Sequence, residues 1–181
     1  MNHAIRAHEL LRTLASIGVE SALVGGLAVS LRSRERFTRD IDFAIAVDSD
    51  EHSELVGRAM QRAGYELQMV IEQEAQGIIA TLRFRHPREG SAHPSVDLLC
   101  GSTGIEREIV ESATMENLSA DHAVPVATRA HLIAMKVLSE NDNRPNDGAD
   151  LMALLAVATA DELQAVLRSL ELIQDRGFDR G

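Results

Sequence analysis

Two aspartates separated by one residue, Asp40 and Asp42, are the residues of this chain best suited to do chemistry. They alternate with Ile41 and Phe43 in an apolar segment that predicts a β-strand, and alternate side chains of a strand lie on opposite faces. Both carboxylates therefore share one face, where they repel each other. Such a pair is costly to bury unless a cation or a shared proton offsets the charge, and Mg²⁺ prefers carboxylate oxygens and substrate phosphates. The spacing therefore predicts a metal site.

A pair of glycines, Gly25 and Gly26, lies upstream of the aspartates. Residues 22–24 predict a short buried strand and residues 27–31 the first turns of a helix, so the glycines form the turn between them. Glycine allows the close approach that lets N–H groups at a helix start bind an anion, which favours phosphate there. Residues 27–39 are enough for a short helix and a return to an adjacent strand. The phosphate cradle and the carboxylates would then face each other.

At these residues the chain resembles the polymerase-β-like nucleotidyltransferase superfamily, whose signature is a Gly-Gly or Gly-Ser turn, a short spacer, and Asp-x-Asp or Asp-x-Glu between apolar residues. Within that superfamily it is similar to the AbiEii-type toxin nucleotidyltransferases. That likeness rests on the run from Thr38 to Asp42 and on the segment from Leu132 to Leu151, and it spans about Val19 to Leu155. Gly26 stands where many relatives carry serine, which removes a hydroxyl contact to phosphate but not the backbone contacts.

The resemblance implies a third carboxylate, and Asp97 is the candidate. It alternates with Val96 and Leu98 on a second predicted strand, so it either projects into the same cleft or lies on an exposed edge strand. By the resemblance, Asp40 and Asp42 hold an ion that bridges the triphosphate. The same two residues and Asp97 hold a second ion, which lowers the pKa of the acceptor hydroxyl and positions it for in-line attack. The expected cofactor is Mg²⁺ or Mn²⁺, with a nucleoside triphosphate as co-substrate.

A mostly apolar helix, predicted to begin after Thr128, carries Lys136 on a narrow polar stripe. The ammonium group either reaches solvent or faces the cleft, and the resemblance implies contact with substrate phosphates. Asn146 replaces the lysine usual in the family's Arg-Pro-Lys-Asp segment, which weakens a phosphate role there. Asp147 is either a first-turn acid favoured by the helix dipole, with Asp150 a surface neighbour, or it orders Lys136 or the nucleotide.

The resemblance thus assigns two sets of site residues. Those expected to act in catalysis are Asp40, Asp42, Asp97 and Lys136. Those expected to bind the nucleotide are Gly25, Gly26, Ser30, Arg39, Lys136 and Asp147.

The net charge of −10 argues against a nucleic-acid partner, because neutralising phosphates requires a basic surface. Two arginine-rich groups nevertheless concentrate positive charge in parts of this acidic chain. Each group either guides phosphates into the cleft or belongs to a solvated loop. With one tyrosine, four phenylalanines and no tryptophan, a platform for stacking bases is poor. The groups are Arg32, Arg34, Arg36 and Arg39 beside the site, and Arg83, Arg85, His86 and Arg88 before Asp97.

The periodicity predicts an α/β arrangement followed by helices. By the resemblance, the first part is a polymerase-β-like core over residues 1–126, with a short mixed sheet flanked by helices, and a C-terminal helical segment over 127–181 packs on it. No apolar stretch approaches the roughly 20 residues that span a bilayer, and the first residues predict an amphipathic helix rather than a signal peptide. We therefore expect a cytoplasmic protein with no membrane partner. Cys100 is expected to be a buried packing residue.

Together these features predict a metal-dependent nucleotidyltransferase that moves a nucleoside monophosphate to a hydroxyl group. By the resemblance it is an AbiEii-like toxin that acts on RNA, at the tRNA 3′ end, or on protein, with a possible cognate antitoxin. One alternative is an antitoxin-type nucleotidyltransferase that modifies or binds a partner toxin. Another is transfer to a cationic small molecule such as an aminoglycoside, which an acidic chain would suit.

Overall fold

A computed structural model describes residues 3–74, 76–85, 95–139 and 145–178 of the chain. The strands in these ranges are β1 (Ser21–Val24), β2 (Ile41–Ile45), β3 (Glu66–Gln73), β4 (Ile78–Arg85), β5 (Ser95–Leu99), β6 (Thr114–Ser119) and β7 (His122–Val126). The helices are α1 (His3–Ser16), α2 (Gly25–Arg32), α3 (Asp50–Arg62), α4 (Glu106–Glu111), α5 (Arg129–Ser139), α6 (Pro145–Leu155) and α7 (Ala160–Asp175).

The strands of the described ranges form one mixed sheet in the order β3-β4-β5-β2-β1-β7-β6. The central strand β2 is antiparallel to β1 and parallel to β5, and β4 is antiparallel to β5. Helices α2 and α4 pack on β1 and β2, and α3 packs on β3 and β4. The predicted mixed sheet flanked by helices is therefore confirmed. Its order also places the strand that carries Asp42 next to the strand that carries Asp97.

One hydrophobic core runs through the sheet and into the C-terminal helices. Phe43, Leu23 and Leu98 from the central strands are completely buried, and Leu132 of α5 and Ile173 of α7 join the same cluster. Burying a side chain of this size stabilises the fold by about 1.5–3 kcal/mol. The C-terminal helices α5 and α7 therefore share one core with the central strands. No helix in the described ranges is both long and apolar enough to cross a membrane.

The helix starts follow local sequence rules. The hydroxyl groups of Ser49 and Thr159 cap α3 and α7, and Thr128 accepts a hydrogen bond from the backbone N–H of His131 in the first turn of α5. In α7 the side chain of Glu162 completes a capping box. The bond from Thr128 explains why the helix predicted to begin after that residue starts at Arg129.

The residues that follow α7 are held by partners distant in the sequence. Arg176 Nη2 lies 2.6 Å from Glu108 Oε1, and the carbonyl group of Gly177 accepts a 2.7 Å hydrogen bond from Gln76 Nε2. Long-range partners that the local sequence does not reveal hold residues 176–178, while 179–181 lie outside the described residues. His86 and Arg88, from the second predicted basic group, also lie outside them.

Candidate active site

A row of side chains crosses three neighbouring strands on one face of the sheet. Arg83 of β4 is paired in register with Asp97 of β5, and Asp97 with Asp42 of β2. Residues paired in register on adjacent strands project from the same face. The structure therefore places Asp97 beside Asp42, between that carboxylate and the guanidinium group of Arg83.

Asp40 lies at the edge of the same face. It is exposed and immediately precedes β2, and its Oδ1 accepts a 2.9 Å hydrogen bond from the hydroxyl group of Ser95, the first residue of β5. Among the residues that the structure describes, no three acidic, histidine or cysteine side chains form a ready-made metal cluster. Asp40 thus shares a face with Asp42 but is turned toward Ser95.

The first glycine of the turn is required by the Asp42 carboxylate. Helix α2 begins at Gly25, whose φ of +62° is favourable only for glycine, and no side chain caps this helix. A Cβ atom on Gly25 would lie 1.9 Å from Asp42 Oδ2. The carboxylate therefore packs directly against the start of α2, where free backbone N–H groups carry partial positive charge.

The second glycine faces a loop of its own chain. A Cβ atom on Gly26 would lie 2.6 Å from Arg36 Nη2 and 2.7 Å from Thr38 Oγ1. The hydroxyl group of Ser30 donates to the Gly26 carbonyl group at 3.0 Å, and its oxygen accepts from the Arg36 N–H at 3.3 Å. Gly26 and Ser30, both predicted to bind the nucleotide, therefore also hold the loop of residues 33–40 against α2.

Lys136 belongs to a buried ion cluster that joins three elements. Its ammonium group on α5 contacts the carboxylate of Asp147 and lies 2.9 Å from Asp150 Oδ2, both on α6. Arg36 Nη2 donates to the same Asp150 oxygen at 2.8 Å. The side chains of Lys136 and Asp150 are only 12% and 3% exposed. Lys136 thus does not reach out to solvent. Asp147 contacts it, in agreement with one of the two alternatives, and the surface position that the other alternative gave to Asp150 is wrong.

The charges on this face perturb Asp42. Burial, followed by the charges of Asp97 and Asp40, raises the pKa of Asp42 to about 7, while the cations Lys136 and Arg83 oppose that rise. Although Asp42 as a whole residue is partly exposed, its carboxylate lies under the turn at Gly25. At Asp42, burial and the two neighbouring carboxylates together therefore outweigh the nearby cations.

The predicted basic groups divide according to their partners. Arg83 donates from Nε to Asp97 Oδ1 at 2.8 Å and from Nη2 to Oδ2 at 2.6 Å, whereas Arg85 pairs with Glu66 at 2.6 Å. Arg34 and Arg39 are exposed, and neither guanidinium group forms an ion pair with a described residue.

The sequence did not predict the roles of three residues at the site. Thr38 lies against Gly26, Ser95 binds Asp40, and Asp150 forms ion pairs with Lys136 and Arg36. An aspartate three residues after Asp147 in a largely apolar segment was the one available signal of a buried ion pair. Cys100, in contrast, is 8% exposed as predicted, and burial raises the pKa of its thiol to about 12.

Comparison with protein-family models matches residues 10–180 to the nucleotidyl transferase AbiEii toxin family of type IV toxin–antitoxin systems. Comparison with curated proteins found no match.

Three solved structures share the fold. An antigenic nucleotidyltransferase-like protein from Paracoccidioides brasiliensis has a TM-score of 0.53 and 19% identity, over 96% of this chain and 88% of that one. The antibiotic-resistance factor ANT(2″)-Ia has a TM-score of 0.60 in its solution structure, at 12% identity over 96% and 91% of the chains. Its crystal structure with adenylyl-2″-tobramycin has a TM-score of 0.59, at 12% identity over 96% and 97%. Identities this low show the fold alone.

The family match covers the glycine turn, all three aspartates and the lysine helix in a single alignment from residue 10 to residue 180. The chain therefore belongs to the AbiEii toxin family and is a nucleotidyltransferase.

Proposed function

We propose that the chain transfers a nucleoside monophosphate from a nucleoside triphosphate to a hydroxyl acceptor, with a divalent cation held by Asp40, Asp42 and Asp97. The observation that carries this proposal is the in-register pair of Asp42 and Asp97 at the start of α2. The reaction forms a bond between the acceptor oxygen and the α-phosphorus and breaks the bond from that phosphorus to pyrophosphate. The hydroxyl proton passes to a carboxylate or to water.

The donor chemistry of this face fits such a cation. Carboxylate oxygens are the ligands that Mg²⁺ and Mn²⁺ prefer. The carboxylates of Asp97 and Asp40, which after burial are the main causes of the raised pKa of Asp42, supply negative charge that a cation would offset. When bound, the ion would neutralise phosphate charge and lower the pKa of the acceptor hydroxyl. Asp42 and Asp97 would be its inner ligands, and Asp40 would turn from Ser95 to join them.

The remaining predicted residues would bind the triphosphate. Asp147 and Asp150 hold the ammonium group of Lys136, whose charge acts on Asp42, so this charge is already oriented before any phosphate arrives. Gly25 and Gly26 would present backbone N–H groups at the uncapped start of α2. Ser30 would keep that turn and its loop in place, and the exposed Arg39 would attract the anion into the cleft.

For the acceptor, we propose the 3′ hydroxyl group of an RNA, such as tRNA, in keeping with a toxin role. The family to which the chain belongs supports this choice, and so do the exposed Arg34 and Arg39, neither of which forms an ion pair with a described residue. Nucleoside triphosphates and RNA as substrates would place the activity in the cytoplasm. A cationic small molecule is the second candidate, because the net charge of −10 would attract it.

The test uses each nucleoside triphosphate labelled at the α-phosphate, with total RNA, soluble lysate protein or an aminoglycoside panel as acceptor. We expect label to enter the RNA fraction, with release of pyrophosphate and loss of transfer in EDTA. A parallel reaction with γ-labelled nucleotide should leave every acceptor unlabelled. If label enters only protein or only the aminoglycosides, the proposal that RNA is the acceptor is wrong. Transfer of the γ-label to any acceptor would contradict nucleotidyl transfer itself.

A further inference from the structure

The pair formed by Arg83 and Asp97 occupies both oxygens of one proposed metal ligand. Nε and Nη2 of the guanidinium group bind Oδ1 at 2.8 Å and Oδ2 at 2.6 Å, a bidentate geometry that fixes the carboxylate plane. The Asp97 side chain is 11% exposed, and the Arg83 side chain above it is 38% exposed. Asp97 is thus buried beneath its own counter-ion.

A divalent cation and this guanidinium group cannot share Asp97 at full strength. The guanidinium group already takes one lone pair on each Asp97 oxygen, so an ion bound there would lie close to a second cation, and two cations on one carboxylate repel each other at short range. Arg83 stands on β4 directly opposite Asp97, so the sheet itself sets the geometry of the pair. Its greater exposure leaves it room to swing toward solvent.

The other cations near the cleft have different partners. Lys136 is bound by Asp147 and Asp150, Arg36 by Asp150, and Arg85 by Glu66. Among these cations of the described residues, Arg83 is therefore the one whose ion-pair partner, Asp97, is also a proposed metal ligand.

We propose that Arg83 is a positioning residue that holds Asp97 in place before metal binding and gives it up when a divalent ion binds, so that Arg83 sets the metal affinity of the site. This inference rests on the proposed function, because it takes Asp97 as a metal ligand. Arg83 thereby offsets part of the charge of the carboxylate cluster in the metal-free protein and makes metal binding weaker than the three aspartates alone would make it. Once released, its guanidinium group is free to bind an incoming phosphate.

The test measures Mn²⁺ binding to the full chain without nucleotide, by calorimetry and by the electron paramagnetic resonance signal of free Mn²⁺. Arg83→Met keeps much of the side-chain length but removes the charge, and it should lower the Kd for Mn²⁺ about tenfold. Arg83→Lys keeps the charge but loses the bidentate geometry, so its Kd for Mn²⁺ should lie between those of the parent and Arg83→Met. Arg85→Met removes a neighbouring cation on the same strand and should leave the affinity unchanged.

Thermal unfolding separates this role from a structural one. In EDTA, Arg83→Met should unfold at a lower temperature than the parent, because the carboxylates lose a counter-ion. Added Mn²⁺ should then raise its Tm by more than it raises that of the parent. If Arg83 has a purely structural role, Arg83→Met will have the same Kd for Mn²⁺ as the parent or a larger one. Either result overturns the proposal.

Nucleotide transfer by the parent protein distinguishes this failure from a broader one. If the parent transfers label from α-labelled nucleotide while Arg83→Met binds Mn²⁺ no more tightly, only the role of Arg83 is rejected. If neither protein binds Mn²⁺ and the parent transfers no label, the proposed function is rejected together with it.

Discussion

Asp42 is the residue whose charge the fold accommodates least easily. Its carboxylate lies against Gly25 and beside Asp97, and its pKa is raised to about 7 from an ordinary value of 3.8. Between these two values the unfolded chain carries an ionised Asp42 while the folded chain keeps it protonated. Stability contributed by the protonated form is therefore complete below about pH 4, declines as the pH rises to about 7, and changes no further above that.

We therefore expect Asp42→Asn to be more stable than the parent in EDTA at pH 8, by about 1–4 kcal/mol, and to lose this advantage near pH 4. Urea unfolding across pH 4–8 measures the difference. Asp48→Asn, at an aspartate whose side chain is 74% exposed, is the control and should change the free energy of unfolding by less than about 0.5 kcal/mol. An Asp42→Asn variant that is less stable than the parent at pH 8 would contradict the electrostatic reading.

Lys136 is the only lysine in the chain, and its ammonium group is held between two buried aspartates. Lys136→Met keeps the length and the apolar stem but removes the charge that we assign to phosphate binding. We expect a fall in the single-turnover rate of roughly 5- to 150-fold at saturating nucleotide, equivalent to about 1–3 kcal/mol of transition-state stabilisation.

The variant also leaves two buried carboxylates without their cation, so its stability must be measured alongside its rate. A rate within twofold of the parent, in protein shown to be folded by circular dichroism, would return Lys136 to a purely structural role. Because the chain has a single lysine, trapping of a periodate-oxidised nucleotide by borohydride reduction should label only Lys136 and the N-terminus.

At the scale of elements, the strand–turn–helix unit from β1 to α2 is built around the Asp42 carboxylate. Gly25→Ala places a methyl group on the Asp42 oxygen and strains a backbone with φ of +62°. We expect a loss of at least about 3 kcal/mol in the free energy of unfolding. Gly77→Ala is the matched control: its φ is +65° with no atom within 4 Å, so it should lose only about 1–2 kcal/mol. Equal losses in urea unfolding would contradict the packing of Asp42 against Gly25.

The ion cluster at Asp150 connects the loop of residues 33–40 to helices α5 and α6. Asp150→Ala leaves Arg36 and Lys136 short of their shared partner, and we expect a loss of about 3 kcal/mol, with faster amide exchange in the loop. Glu54→Ala, which removes an exposed pair with Arg58, should lose less than about 0.5 kcal/mol. Unchanged exchange over residues 33–40 in Asp150→Ala would show that the cluster does not hold the loop.

The sequence predicted these elements well where local rules decide them. Alternation around Asp42 and Asp97 predicted both strands, and the hydroxyl residue Thr128 marked the start of α5. The cluster of Arg36 with Asp150 could not be predicted, because the partners are 114 positions apart and meet only through tertiary packing. The pairing of Arg83 with Asp97 depends likewise on strand order, which alternation does not give.

At the scale of the whole molecule, the family match and the shared fold confirm the predicted family, the α/β architecture and the enzyme class. The division into residues 1–126 and 127–181 stays a prediction, as do the metal, the acceptor and the individual roles of the site residues. The chain is acidic overall, yet its site combines three carboxylates with a lysine and several arginines. That combination suits a triphosphate carried together with a divalent cation.

Metal-dependent transfer at Asp42 is tested by comparing the parent with Asp42→Asn, in one experiment that measures both Mn²⁺ affinity and transfer of α-labelled nucleotide. Asp48→Asn serves as the control for loss of an exposed carboxylate. We predict that Asp42→Asn is folded, loses Mn²⁺ binding and slows transfer by about 100-fold or more, because one ligand supports both events. An Asp42→Asn variant that binds Mn²⁺ and transfers nucleotide like the parent would contradict the proposal that Asp42 holds the divalent ion used in nucleotidyl transfer.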